Sequence, residues 1–249
     1  MIDAITAEAS LTSLTWFNKV LFEPIKTEVG GRVVSDTLVL KPEICKKLTG
    51  VRGITIKKHK KTVIYNLTGK ILQKRYVEGL NSSTFSHGIY NLNNYGVVNV
   101  DEEELLGTGK VHLIHSTMDI ETEKMPIEYV NYLKSVTSTL LRTFQVRQYP
   151  TGLSIGRNKN SIIPFLRIYA KYEELTTTKE GGQILEYLSN EDMEYFRNVL
   201  RFEAQLDSFA EIRRYYDFEE ENNLLEILYS NNRPVVDVFN QIIRETGVN

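Results

Sequence analysis

Along most of the chain the apolar positions repeat either every second residue or every three to four, and the two periods separate strands from helices. From Phe165 to Lys171 and from Leu200 to Leu206, apolar and polar side chains alternate, so each segment as a strand buries one face and turns the other outwards. The outward faces carry Arg167, Tyr169 and Lys171 on the one strand and Arg201, Glu203 and Gln205 on the other. A third run, Val111 to Glu121, places Ile114, Ser116, Met118 and Ile120 on one side and His115, Thr117, Asp119 and Glu121 on the other. If the three share a sheet, one surface gathers carboxylates, cations and a phenol.

Residues 32 to 41, 52 to 58 and 61 to 67 have strand composition, the last two pairing around a cationic hairpin loop from Lys58 to Lys61. Thr68 to Tyr76 predicts a short helix capped by Thr68 and broken by Gly79. Asn81 to Gly96, rich in Asn, Ser, Gly and Tyr, shows no clear period and predicts a loop with one strand around Gly88 to Leu92. The clearest helix is Pro126 to Phe144, where Ile127, Val130, Leu133, Val136, Leu140 and Leu141 recur at helical spacing after a proline suited to the first turn. Residues 152 to 156 and 162 to 171 read as strands around a polar turn at 157 to 160. Glu180-Gly181-Gly182 reads as a loop, and Asn190 as the cap of a helix from Glu191 to Val199. Beyond Ser208 the pattern is helical: Phe209 to Tyr216, Asn222 to Tyr229 and Arg233 to Glu245. The fold class expected is α+β, a mainly antiparallel sheet with helices packed on one face and the site on the open face. The expected division is a domain over 1–207 and a helical C-terminal extension over 208–249.

Composition changes this picture little, and charge distribution changes it more. With 41% hydrophobic and 25% charged residues over 249 positions, the chain has the make-up of a globular domain. No run approaches the length of a membrane span and no secretory signal is evident, so the expected compartment is the cytoplasm, with no membrane partner. A single cysteine, Cys45, excludes an internal disulfide and a multi-cysteine zinc site. The net charge of −2 hides a polarised chain. Between Lys46 and Arg75 there is no acid, while Lys46, Lys47, Arg52, Lys57, Lys58, Lys60, Lys61, Lys70, Lys74 and Arg75 all carry positive charge. The acids Asp217, Glu219, Glu220, Glu221 and Glu226 cluster in the tail. A basic front of this kind suits a phosphate backbone, through Lys57, Lys58, Lys60, Lys61, Lys70, Lys74 and Arg75, with Tyr65 and Tyr76 as rings for unpaired bases.

The collected side chains are the parts for metal-assisted attack of a tyrosine on a phosphodiester. The opening Met1-Ile2-Asp3, the stretch Tyr65 to Leu72, the Thr117-Met118-Asp119 strand, the Tyr169-x-Lys171 strand and Arg201-Phe202-Glu203 follow an order that resembles filamentous-phage gene II replication initiators and related plasmid rolling-circle initiators. The resemblance covers residues 1 to 207. It implies a nickase that opens one strand of a circular duplex at an origin with a tyrosine and a divalent cation and later rejoins it. By the same resemblance Tyr169 is the nucleophile, and Asp119 and Glu203 stand at the acidic positions. The partners it implies are origin duplex and single-stranded DNA, with a host helicase or polymerase as a further candidate.

A phenol is almost fully protonated at neutral pH, so its attack needs a neighbouring cation. Mg²⁺ or Mn²⁺ takes carboxylate oxygens, for which Asp119 and Glu203 suffice, with Glu121 as a third candidate. As a strand neighbour of Tyr169, Lys171 would lower the phenol's pKa or steady the leaving oxyanion, while Arg201 and Arg167 would clamp phosphate. His112 and His115, three apart, fall on opposite strand faces, so only His115 shares the side of Asp119. Against these readings stand plainer ones: a packed strand tyrosine among fourteen tyrosines, a cross-strand ion pair at Glu203, a solvated lysine face. Tyr172 stays open as structural or as a reserve nucleophile. The alternative to an enzyme is a non-catalytic DNA-binding or replication-regulating protein on the same fold.

Overall fold

The computed structural model describes residues 1–29, 32–140, 144–156, 163–218 and 221–246. Twelve strands lie among them: β1 Ile2–Ser10, β2 Leu14–Phe17, β3 Phe22–Val29, β4 Arg32–Leu40, β5 Val51–Lys57 and β6 Thr62–Thr68, then β7 Val98–Val100, β8 Lys110–Glu121, β9 Gln145–Tyr149, β10 Gly152–Gly156, β11 Phe165–Ala170 and β12 Val199–Leu206. The α-helices are α1 Pro42–Cys45, α2 Phe85–Asn94, α3 Glu102–Thr108, α4 Pro126–Leu140 and α5 Lys171–Thr177, followed by α6 Lys179–Leu185, α7 Asn190–Arg197, α8 Phe209–Tyr216, α9 Leu224–Tyr229 and α10 Pro234–Thr246. The chain is α+β, and its sheet pairings β3/β4, β4/β5, β5/β6, β1/β6, β9/β10, β10/β11 and β11/β12 are antiparallel.

Two compact units divide the chain inside β8. One comprises Ile2–Ile114 and Ser208–Asn231, the other Met1, His115–Asp207 and Asn232–Asn249. The expected boundary at 207 differs from this grouping, because the C-terminal segment is shared between the units. In the first unit the strand order is β3-β4-β5-β6-β1-β8, with β2 and β7 as a separate pair. Its core is Ile5, Ile54, Ile56, Val63, Tyr65, Leu67, Ile71 and Leu72.

The second unit orders its strands β8-β12-β11-β10-β9. Direct cross-strand partners point to one face of a sheet. Thus Leu153 opposite Ile168, Ile168 opposite Phe202, and Leu166 opposite Ala204 build an apolar face. That face is covered by α4 and α10, and the Phe239 ring of α10 meets Phe202 edge-on at 5.4 Å between centroids. Each large aliphatic or aromatic side chain buried here contributes about 1.5–3 kcal/mol. The opposite face carries Arg167 and Tyr169 of β11 and Arg201, Glu203 and Gln205 of β12.

The expected strands at 32–41, 52–58, 61–67, 111–121, 152–156 and 200–206 and the hairpin loop at 58–61 are present to within a residue or two. Pro126 begins α4, which extends to Leu140; Phe144 lies outside the helix, and Leu141 and the polar turn at 157–160 lie outside the described residues. Four local expectations are corrected. Residues 85–94 form α2 in place of a loop with a strand, because Phe85, Ile89 and Leu92 fall on one buried helical stripe. The Glu180-Gly181-Gly182 segment belongs to α6, whose first turn Thr178 caps by accepting from the Gly181 N–H. The cap of α7 is Ser189, in a reciprocal box with Asp192, with Asn190 as the first helical residue. Thr68 makes no side-chain cap, and Gly69–Glu78 is two 3-10 turns broken at Gln73, where φ is 51°, and closed by Gly79. Strands β1, β3 and β9 and helix α3 had no counterpart in the sequence reading.

Candidate active site

Positions in β11 and β12 are fixed by register. Arg167 stands opposite Glu203 and Tyr169 opposite Arg201, so all four share the polar face of the second unit. Beside β12 runs β8, which brings His115 and Asp119 to the same face.

Two linked clusters result. In the first, the Tyr169 hydroxyl donates to Glu203 Oε2 at 3.0 Å, while Glu203 Oε1 accepts from His115 Nδ1 at 3.0 Å and from Arg167 Nη1 at 3.4 Å. In the second, Arg201 grips Asp119 in a fork, Nε to Oδ1 at 2.5 Å and Nη2 to Oδ2 at 2.6 Å, and the Tyr195 hydroxyl donates to Oδ2 at 3.4 Å. Asp119, Tyr169 and Glu203 therefore meet on one side of the sheet, as the alternation implies.

The face is less open than alternation alone suggests. Arg201 is 1% exposed and Glu203 3%. Tyr195 and Phe196 of α7 lie over the Asp119–Arg201 pair, the Phe196 ring centroid 5.7 Å from the guanidinium carbon. Tyr169 is half-buried and Arg167 exposed, so these two residues of β11 are the members of the cluster that reach solvent.

Burial would raise the Glu203 carboxyl, but the hydrogen bond and charge of His115, the charge of Arg167 and the Tyr169 hydroxyl outweigh it and hold the group down to about 2. Glu203 is thus ionised at neutral pH. Because its folded pKa lies below the unfolded value, it contributes stability that is complete above about pH 4.5 and lost as pH falls towards 2. Glu203→Gln is expected to flatten the fall in melting temperature over that window, and parallel wild-type and variant curves would contradict the assignment. Tyr195 is pushed up to about 12 by burial and by the Asp119 charge, so it stays a neutral donor.

Lys171 is corrected. It is the first residue of α5, not the last of the strand, because β11 stops at Ala170. Its buried ammonium pairs with Glu174 Oε2 at 2.8 Å and lies 5.6 Å from the Tyr169 ring centroid. It still places positive charge beside the phenol, from a helix start. Tyr172, next along, sits in α5 with the Arg197 guanidinium over its ring.

A divalent cation held by Asp119 and Glu203 does not fit this donor set. Both Asp119 oxygens accept from Arg201, and the Glu203 oxygens accept from His115, Arg167 and Tyr169. Mg²⁺ demands near-octahedral oxygen ligands at about 2.0–2.1 Å, which carboxylates already bound to cationic donors do not offer. Glu121 is exposed at the end of β8, and no group of three or more His, Cys, Asp or Glu among the described residues is arranged to hold a metal.

The basic segment belongs to the first unit and is partly neutralised there. Lys57 pairs with Glu8 at 3.1 Å, Lys58 with Asp36 at 3.2 Å, and Arg75 with Glu78 through two bonds of 2.7 and 2.6 Å. Glu8 also accepts from Thr62 at 2.6 Å and pairs with His112 Nε2 at 3.1 Å. Lys60, Lys61 and Lys74 are exposed, and Lys70 is half-buried. Tyr65 and Tyr76 are core residues, so neither offers a ring to a base.

Sequence reasoning missed Gly152 and Tyr195. Gly152 stands opposite Tyr169, and a Cβ there would lie 2.5 Å from the Tyr169 Cβ and 2.5 Å from the Ile168 carbonyl. Only a glycine lets β10 approach the tyrosine so closely. Gly152→Ala is expected to cost about 1–3 kcal/mol and to displace the phenol from Glu203. Thermal stability should fall and the Tyr169–Glu203 hydrogen bond should be disturbed, and an unchanged protein would refute the close approach.

No family model matches the chain, and no curated protein matches it.

Proposed function

We propose that the protein is a rolling-circle replication initiator that nicks and rejoins one DNA strand through Tyr169. The observation that carries this reading is a half-buried phenol 3.0 Å from a buried, ionised carboxylate, with the exposed Arg167 two residues away on the same face. That distance lies within the range for a nucleophile and its hydrogen-bonded partner. The order of motifs shared with gene II type initiators supports the same conclusion.

In the proposed step the Tyr169 oxygen forms a bond to phosphorus, and the bond from phosphorus to one deoxyribose oxygen breaks. The phenol proton leaves through Glu203 to water, and water supplies the proton that the departing sugar oxygen takes up, so the step is proton-neutral. Held so acidic, Glu203 orients the phenol more than it stores the proton. Arg167 meets the non-bridging oxygens, and Lys171 favours the phenolate from beneath the ring. Asp119 and Arg201 hold β8 and β12 together and so fix the height of Glu203. The reverse reaction, with a sugar hydroxyl attacking the phosphotyrosine, rejoins the strand.

The committed pairing of Asp119 with Arg201 favours a second reading, a DNA-binding replication regulator without cleavage. Incubating the protein with supercoiled circles carrying candidate origins decides between them. Open circles are expected from the enzyme, and bound but intact circles at every condition would leave the regulator.

A further inference from the structure

A cluster of titratable side chains in the first unit takes no part in the chemistry assigned to Tyr169. Register places it on one face of the sheet: Lys57 of β5 stands opposite Thr62 of β6, Thr62 stands opposite Ser10 of β1, and Glu8 lies two residues before Ser10 on the same side. Next to β1 runs β8, which brings His112. The Glu8 carboxylate collects all three neighbours. Its Oε1 accepts from Thr62 Oγ1 at 2.6 Å and from Lys57 Nζ at 3.1 Å, and its Oε2 pairs with His112 Nε2 at 3.1 Å.

That last contact separates the roles of the two ring nitrogens. A carboxylate against Nε2 keeps the proton there, so the lone pair belongs to Nδ1. Nδ1 has no hydrogen-bond partner among the described residues, and the His112 side chain is 34% exposed, so reagents reach it. The Phe209 ring, 4.6 Å away between centroids and tilted by 59°, fixes the plane of the imidazole. Burial lowers the His112 pKa from its ordinary value against the opposing charge of Glu8, which leaves a free base at neutral pH. Burial would raise Glu8, but the hydrogen bonds from Thr62 and Lys57 outweigh it and keep the carboxylate ionised.

We infer that His112 is a phosphoryl acceptor, taking the phosphoryl group of a small acyl phosphate or phosphoramidate on Nδ1, with Glu8 as its positioning residue and Lys57 as the cation for the phosphoryl oxygens. A carboxylate behind Nε2 makes Nδ1 more basic and more nucleophilic. The Lys57 ammonium has three N–H donors and is itself partly exposed, so it can hold Glu8 and a transferring oxygen together. Lys60 and Lys61, exposed in the hairpin that follows β5, add a positive field that draws in an anionic donor. An uncharged acyl group would gain nothing from these cations.

With phosphoramidate the Nδ1 lone pair forms the new bond to phosphorus, and the donor's own bond from nitrogen to phosphorus breaks, its electron pair leaving with ammonia. The ring gains positive charge, which Glu8 meets through Nε2–H, and no oxidant or further reactant is needed. The site stands apart from the reading of Tyr169, which its failure would leave untouched.

The test is incubation of the full chain with phosphoramidate alone at neutral pH, a quench in base because phosphohistidine is acid-labile, and peptide mapping by mass spectrometry. His59, exposed in the hairpin, serves as the internal control. His112 is expected to be labelled roughly tenfold faster than His59, and phosphorus NMR should show the Nδ1 isomer. Glu8→Gln keeps an acceptor for Nε2–H but removes the charge, so it should slow His112 roughly tenfold and leave the rate at His59 unchanged. Lys57→Met should slow His112 in the same selective way. Melting temperatures confirm that the variants are folded; if either is not, the wild-type rate ratio and isomer decide. Equal rates at His112 and His59, a product on Nε2, or a folded Glu8→Gln variant labelled as fast as wild type would overturn the assignment.

Discussion

Tyr169→Phe is expected to lower nicking of a supercoiled origin circle by roughly three orders of magnitude or more, the scale on which an enzyme loses its nucleophile. The substitution removes one oxygen. It also removes the hydrogen bond to Glu203 Oε2, at a stability cost of about 0.5–1.5 kcal/mol, so the variant should remain folded. Binding to the circle should persist, because Arg167 and the exposed lysines of the first unit are untouched. Agarose-gel separation of supercoiled and open circles, read beside a filter-binding assay, checks both halves. Nicking at the wild-type rate would remove Tyr169 from the chemistry and move attention to Tyr172 or Tyr195.

Asp119→Ala carries the largest expected loss of stability, about 3–5 kcal/mol. Arg201 is 1% exposed, and the carboxylate of Asp119 takes its Nε–H and one Nη2–H. Removing that counter-charge leaves a guanidinium in a buried site beneath Phe196 without the acid that offsets its desolvation. Replacing both partners with apolar residues, Asp119→Leu with Arg201→Met, should recover much of the loss, because the buried guanidinium that the single variant leaves without its counter-charge is then gone. Chemical denaturation of the wild type, the single variant and the double variant measures this. A single variant within 1 kcal/mol of wild type would mean that the pair is not buried in solution.

The alternation at 165–170 and 200–206 was readable because a strand's two faces are set by local geometry alone, and it identified the side that Tyr169, Arg201 and Glu203 share. What lay beyond it depended on tertiary neighbours. Lys171 continues the period-two pattern, yet β11 ends one residue earlier. Nothing in alternation marks where a strand gives way to a helix turn. Burial of Arg201 and Asp119 comes from Tyr195 and Phe196 of α7, and no spacing in β8 or β12 announces that cover. Helix α2 was hidden by its Ser, Asn and Tyr content, although Phe85, Ile89 and Leu92 already mark one stripe. Strand β9 was missed because Gln145, Arg147, Gln148 and Tyr149 offer almost no apolar contrast. The basic run from Lys46 to Arg75 was plain in the sequence, but its partners Glu8, Asp36 and Glu78 include residues far outside it.

The central claim is that the Tyr169 oxygen becomes bonded to DNA phosphorus. The most direct measurement is peptide mapping by mass spectrometry after the protein has reacted with a single-stranded origin oligonucleotide and been trapped by denaturation. A nucleotide-mass adduct on the peptide carrying Tyr169, absent from Tyr169→Phe, is the result expected. Cleaved oligonucleotide with the adduct on another tyrosine, or with Tyr169→Phe cutting as well as wild type, would contradict it.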